Sequence, residues 1–392
     1  MDGKPCFIKD YEVVEDSSFL GKETFYILCN ENYGKYIRIP NEKIDYILLI
    51  IELMDGTRSI LEIQEEVRKQ KGYIVDINKV EKLFLNNGFI EGNVINIEKN
   101  EIDIMSKELV SIKFKPASDK IYFICKKIKR FFLCLYIVVF IFGIINICIH
   151  MEYFLNGEIK LTEYKDSAAS GFYICLVSIY ISLFLHELSH VIVALAYKKD
   201  IDKISVNLYA GCLPMIYVKI KGINSLKVKK RLQVIVAGIV TNLFLAIFML
   251  SLACSNIMNY ELNELLKVVG FSNIYAAIMN MIPSSLSDGY FILSILLNKY
   301  DMRNYIIKHM FLKKSDYKMS KSERFIYKFY AFISIISLFY ILESFVLWGV
   351  RSVKDANNSF SKIILGVVLF IVLFSIIQTA RNVIHIRKHK MN

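Results

Sequence analysis

Six apolar segments, each near the twenty or so residues that a membrane span needs, fill the last two-thirds of this 392-residue chain. They cover residues 131–150, 171–197, 232–254, 265–297, 325–348 and 360–383, and the run PSSLSDG at 283–289 interrupts the fourth. In lipid such segments can satisfy their backbone polar groups only as helices. With 55% hydrophobic residues and five prolines, an ordinary soluble domain is excluded. The expectation is a polytopic α-helical membrane protein of about six transmembrane helices.

Charge at the flanks orients the spans. KKIKR precedes the first, and the loop 151–170 holds four acids against two lysines. Residues 198–231 carry nine Lys/Arg and two Asp, 299–328 are strongly basic, and the tail reads RNVIHIRKHK. Cytoplasmic loops collect Lys and Arg, so both termini are expected in the cytoplasm, in a multi-pass membrane protein. The net charge of +12 then reports topology rather than a nucleic-acid partner. The N-terminus has no apolar run behind a basic start, so no cleaved signal peptide is expected. Eight cysteines without a CxxC pair suit a reducing setting.

Residues 1–100 form an expected cytoplasmic α+β, winged-helix-like domain. ETFYILCN and KYIRI read as two strands around the turn ENYG. Three helices follow, in NEKIDYILLIIELMDG, SILEIQEEVRKQKG and DINKVEKLFLNNGFI, closed by Gly56, Gly72 and Gly88. Ile60, Ile63 and Val67 share one face of the second, and Val80, Leu83 and Phe84 one side of the third. Residues 101–130 read as a linker. Residues 131–392 form the membrane domain, with a core at 171–298.

Within the second span lies SLFLHELSHVIVALAY, with His186, Glu187 and His190. Ionisable groups deep in a bilayer cost roughly 2.5–3.5 kcal/mol each on insertion scales, so they mark function. Histidines at i and i+4 lie about 6 Å and 40° apart on a helix, so both reach one ion. Glu187 is rotated about 100° from His186, off the ligand line but near an attacking water. A catalytic Zn²⁺ site takes three protein ligands and leaves one position open. Asp288 is the only acid between Lys267 and Lys299. Pro283 and Gly289 break the helix around it, as where backbone lines a cavity. Asp288 is therefore either the third ligand or the cap of the short helix GYFILSILL. His385 and His389 share the same spacing but lack an adjacent Glu and sit among basic residues; they read as a juxtamembrane anchor. His150 and His309 read as interfacial.

The motif His186-Glu187-Leu188-Ser189-His190, followed by Asn280-x-x-Pro283-x-x-x-x-Asp288-Gly289, resembles the site-2 protease family of intramembrane zinc metalloproteases. The resemblance covers about residues 171–298. It implies that His186, His190 and Asp288 hold zinc and that Glu187 activates water. Asn280 would contact substrate backbone or the oxyanion, or tie the broken helix together. AGIVTNLFLA is similar to that family's small-residue helix through Gly238 and Asn242, with Ile239 where a proline is usual. Asn242, Pro283 and Gly289 are expected to support the site or the substrate. ISVNLYAGCLPMIYVKI reads as a hairpin whose edge could pair with an extended substrate, or as an amphipathic loop on the membrane.

Residues 22–92 resemble PqqD-like peptide-recognition domains, which take a leader peptide as an added strand. The alternatives are a DNA-binding winged helix, disfavoured by the mixed charge of EIQEEVRKQKG, and a plain assembly domain. The whole resembles bacterial peptide-maturation proteases of the YydH type, which implies a bacterial plasma membrane as its location. The expected function is hydrolysis of a membrane-associated or ribosomally made peptide near the cytoplasmic face. Expected partners are that peptide or membrane-protein substrate, the lipid bilayer, and an export transporter or modifying enzyme, with no nucleic acid. Two other functions are a non-proteolytic component for export or immunity, and a regulated protease acting on an anti-sigma or transcription factor.

Overall fold

The computed structural model describes residues 4–17, 24–30, 35–91, 106–152, 164–165, 167–209, 213–255, 257–283, 287–297 and 321–355, with the short stretches 362–363, 366–367 and 370. The chain divides into two units. One holds Met1–Ile102, Ile220–Arg231 and Leu296–Asn298; the other holds Asp103–Lys219, Leu232–Ile295 and Lys299–Asn392.

The first unit opens with an antiparallel meander of β1 (Tyr11–Ser17), β2 (Thr24–Asn30) and β3 (Lys35–Pro40). Tyr11 pairs with Asn30, and Phe25 with Pro40. Three helices follow: α1 (Ile44–Leu53), α2 (Ile60–Lys71) and α3 (Ile77–Asn86). Ser59 and Glu62 close a capping box at the start of α2, and Gly72 ends it in the left-handed conformation at φ 70°, where a side chain would be strained. Leu28, Ile50, Ile63, Val67, Ile77 and Phe84 are fully buried together. Leu83, expected on the inner face of α3, is 45% exposed. Ile77, Val80 and Phe84 recur at i, i+3 and i+7 and define that face, which rotates Leu83 about 100° away from Phe84.

A buried ion pair sits in this unit. Arg231 Nη2 donates to Asp16 Oδ1 at 2.6 Å, with the side chains 1% and 3% exposed. Breaking such a pair strands a desolvated charge, at a cost of roughly 3–5 kcal/mol. Arg231→Met is expected to lower the melting temperature of this unit by several degrees, and adding Asp16→Leu to restore much of it. Equal melting of Arg231→Met and the parent protein would contradict the account.

The second unit contains a second antiparallel sheet of β4 (Ser106–Lys113), β5 (Ile201–Tyr209) and β6 (Leu213–Ile220). Ile112 faces Ile204 and Val110 faces Val206, with a bulge between Glu108 and Val110. The segment read as a linker thus supplies a strand to the hairpin that follows the second span.

Six helices complete the described part of this unit. They are α4 (Asp119–Ile149), α5 (Ala168–Ala196), α6 (Val228–Cys254), α7 (Tyr260–Met281) and α8 (Asp288–Leu297), and a ninth in chain order, α9 (Lys321–Asp355), follows. Helix α4 starts twelve residues before the expected span, because the cationic run of KKIKR is a good helix former and its side chains extend to the interface. Among the described residues, α4, α6 and Ala169–Ala196 of α5 are long and apolar enough to cross a membrane. The fourth expected span is two helices, α7 and α8; the fifth lies within α9; most of 360–383 lies outside the described residues.

Polar and small residues join these helices. Tyr136 and Thr241 share a hydrogen bond at 2.8 Å, Asn146 donates to the Ser251 carbonyl at 2.8 Å, and Ser272 donates to Ser178 at 3.0 Å. A Cβ added at Gly143 would meet Ile247 at 2.6 Å. Close approach and interhelical hydrogen bonds are the forces available where lipid competes for apolar contact.

Candidate metal centre

Helix α5 carries His186 and His190 on one buried face, 3% and 7% exposed, with ring centroids 4.8 Å apart. Asp288, the first residue of α8, reaches both from a separate helix. Its Oδ2 lies 3.0 Å from His186 Nε2 and 3.4 Å from His190 Nε2. Metal-ligating atoms of His186, Glu187 and His190 also lie within 4.8 Å of one another.

The break between α7 and α8 delivers Asp288. Helix α7 ends at Met281. Ser287 Oγ accepts the backbone N–H of Tyr290 at 3.4 Å and donates to the Ile282 carbonyl at 2.5 Å. Ser287 thus does the capping that the sequence left open for Asp288, and the Asp288 carboxylate turns to the imidazoles. Gly289 permits the close approach of α8 to the end of α7: a Cβ there would overlap the Met281 carbonyl. The Pro283 carbonyl accepts from Ser334 Oγ at 3.3 Å.

The donor set fits a divalent cation. His190 Nδ1 lies 2.7 Å from the Val234 carbonyl. A carbonyl only accepts, so Nδ1 carries the proton and Nε2 keeps its lone pair for a metal. Asp288 Oδ2 and His186 Nδ1 are buried without a hydrogen-bond partner; the 3.0 Å approach of Asp288 to His186 is not aligned as one. Ligands about 2.0–2.1 Å from a tetrahedral zinc lie about 3.3 Å apart, close to the separations seen. Glu187 sits to the side of this triangle, with the backbone N–H of Val218 in β6 near its carboxylate.

Helix α6 packs directly on the centre. Gly238 lies against the His186 ring, and a Cβ there would overlap the imidazole. Gly238→Ala is therefore expected to push His186 off its ligand position and weaken zinc binding at least about tenfold. Competition with a chromophoric chelator measures this, and unchanged affinity would contradict the packing. Asn242, one turn further along α6, is 2% exposed and its Oδ1 has no partner. Asn280 does not join the cluster through the bond it makes: its Nδ2 donates to the Ala276 carbonyl at 3.1 Å, within α7.

Residues 174–258 match the model of Peptidase family M50. This family comprises intramembrane zinc metallopeptidases of the site-2 protease type. The M50 match takes in His186, Glu187, His190, Val234, Gly238 and Asn242, and Asp288 lies thirty residues past its end. It supports a membrane metallopeptidase. Comparison with curated proteins and with solved structures gives no match.

Three contributors lie outside the reading of the sequence given above. The Val234 carbonyl and the Val218 N–H are backbone groups, which any residue supplies. Ser287 as the cap was visible in principle, since serine immediately before a short apolar helix is a common start signal.

Proposed function

We propose that this chain is an intramembrane zinc metalloendopeptidase in which His186, His190 and Asp288 hold the ion and Glu187 is the general base. One observation carries the reading: a carboxylate on α8 meets two imidazoles on α5 at 3.0 and 3.4 Å. A bound zinc ion supplies Lewis acidity at the scissile carbonyl and brings the pKa of water near 7. The protein's own groups do the rest. Glu187 takes a proton from the attacking water and returns it to the departing amide nitrogen. The N–H of Val218 keeps the carboxylate oriented. The protonated Nδ1 of His190, fixed by the Val234 carbonyl, holds the ring in the ligand tautomer.

The substrate is a membrane-associated or ribosomally made peptide cut near the cytoplasmic face, for maturation or release. The contact between β6 and Glu187 supports pairing of an unwound substrate with this sheet, because helical peptide bonds are shielded until they open. The meander followed by three helices in the first unit supports a peptide-recognition role for residues 1–100. An export transporter or modifying enzyme would act on the same peptide. The basic flanks support a multi-pass protein with both termini in the cytoplasm, and the likeness to bacterial peptide-maturation proteases extends this to a bacterial plasma membrane.

The test is cleavage by the full chain in liposomes, using membrane-inserted peptides and mass spectrometry of the products. Cleavage is expected to stop on treatment with a zinc chelator and to return with added zinc. Cleavage that persists in the stripped protein would overturn the proposal. In cells, a short modified peptide accumulating when Glu187 is replaced supports the maturation role; a single-span protein accumulating instead would replace it with the regulatory one.

A further inference from the structure

The two histidines of α5 are held unequally. His190 has its Nδ1 on the Val234 carbonyl at 2.7 Å. His186, 3% exposed, has no partner on Nδ1. If Nε2 is the ligand atom, Nδ1 carries the proton, and a buried N–H without an acceptor is costly. Metal-bound histidines almost always donate this second N–H to an oxygen, which fixes the ring and makes it a better ligand.

The packing of α5 and α6 identifies the acceptor. His190 meets Val234, and His186 meets Gly238. Stepping down four residues on α5 steps up four on α6, so the two helices run antiparallel, turn against turn. The next pair in that series is Ser182 and Asn242, 4% and 2% exposed. Helical side chains lean toward their own N-terminus. His186 therefore leans toward the turn of Ser182, and Asn242 leans back toward Gly238. The two side chains incline toward each other. Asn242 Oδ1 is buried and also has no partner. An unfilled donor and an unfilled acceptor thus lie one turn apart beside the same centre.

We infer that Asn242 is a positioning residue for zinc binding, its Oδ1 accepting the Nδ1–H of His186 when the ion is bound. It would be to His186 what the Val234 carbonyl is to His190. The inference rests on the zinc reading above and adds a role to a residue outside the ligand set. A purely structural role for Asn242 makes different predictions. If its amide mainly held the helices together, an apolar replacement would destabilise the zinc-free protein. If its oxygen waits for the histidine, Asn242→Leu removes an unsatisfied buried acceptor and leaves the zinc-free protein as stable or more so.

The experiment is chelator competition for zinc on the full-length protein in detergent, with melting of the zinc-free forms alongside. Asn242→Leu is expected to weaken zinc binding about 10–100-fold without lowering the zinc-free melting temperature. Asn242→Asp, which keeps an acceptor oxygen, is expected to recover most of the affinity. Cobalt(II) substitution gives a second readout: the visible bands of the Leu form should shift from the parent's, and those of the Asp form should not. Zinc affinity unchanged in Asn242→Leu overturns the inference, and so does an Asp form as weak as the Leu form. A Leu form that melts early without zinc assigns Asn242 to structure and also overturns it. If the parent protein itself binds no zinc, the zinc reading fails and the inference falls with it; if the parent binds and only the Asn242 series is flat, the zinc reading stands.

Discussion

Glu187→Gln is expected to lower peptide cleavage by about 10²–10⁴-fold, the usual contribution of a positioned general base, while zinc content stays at the parent level. The glutamine keeps the size and one carbonyl oxygen, so the Val218 N–H contact to the side chain can persist. What it loses is the ability to take a proton. Because Glu187 lies rotated off the line of His186 and His190, its replacement leaves both imidazoles and Asp288 in place. The measurement is cleavage rate and zinc per chain on the same preparation. Cleavage near the parent rate would show that another group serves as base. Loss of zinc together with activity would show that Glu187 is a ligand.

Asp288→Ala should lose cleavage and zinc together. Removing the carboxylate takes away the one ligand that comes from a different helix. The loss in zinc affinity is expected to exceed the about 10–100-fold typical of groups that only support a ligand, and cleavage should fall to background at any practical zinc concentration. The fold should survive. The start of α8 is capped by Ser287 rather than by Asp288, and its close approach to the end of α7 depends on Gly289 against the Met281 carbonyl. Circular dichroism of the variant should therefore match the parent while zinc binding does not. Retained zinc at parent affinity would remove Asp288 from the centre.

The residues proposed as ligands are legible because the chemistry demands particular side chains at a particular spacing. His186 and His190 announce themselves as i and i+4 histidines in an apolar helix, and Asp288 as a lone acid in a broken one. Their meeting depends on tertiary structure and could only be expected. The groups that position them were harder to read. Val234 acts through its carbonyl, and Gly238 acts by having no side chain where the His186 ring lies; neither role follows from residue type. In the sheets, β1 carries no local strand signal because YEVVEDS holds three acids, its Val13 is exposed, and the residue it buries is Asp16 against Arg231, a pairing that no local pattern foretells. β4 was missed because its bulge at Glu108 and Val110 interrupts the period of two that marks a strand. Leu83 was placed on the wrong side of α3 because three consecutive apolar residues, Leu83 to Leu85, cannot all lie on one face.

X-ray absorption at the zinc edge, on the full-length protein loaded with one equivalent of zinc, tests most directly whether two helices share one ion. The predicted spectrum has only nitrogen and oxygen neighbours at about 2.0–2.1 Å, with the outer-shell scattering of two imidazoles, falling to one imidazole in His190→Ala. Sulfur in the first shell, or an imidazole count that His190→Ala leaves unchanged, would contradict the centre described.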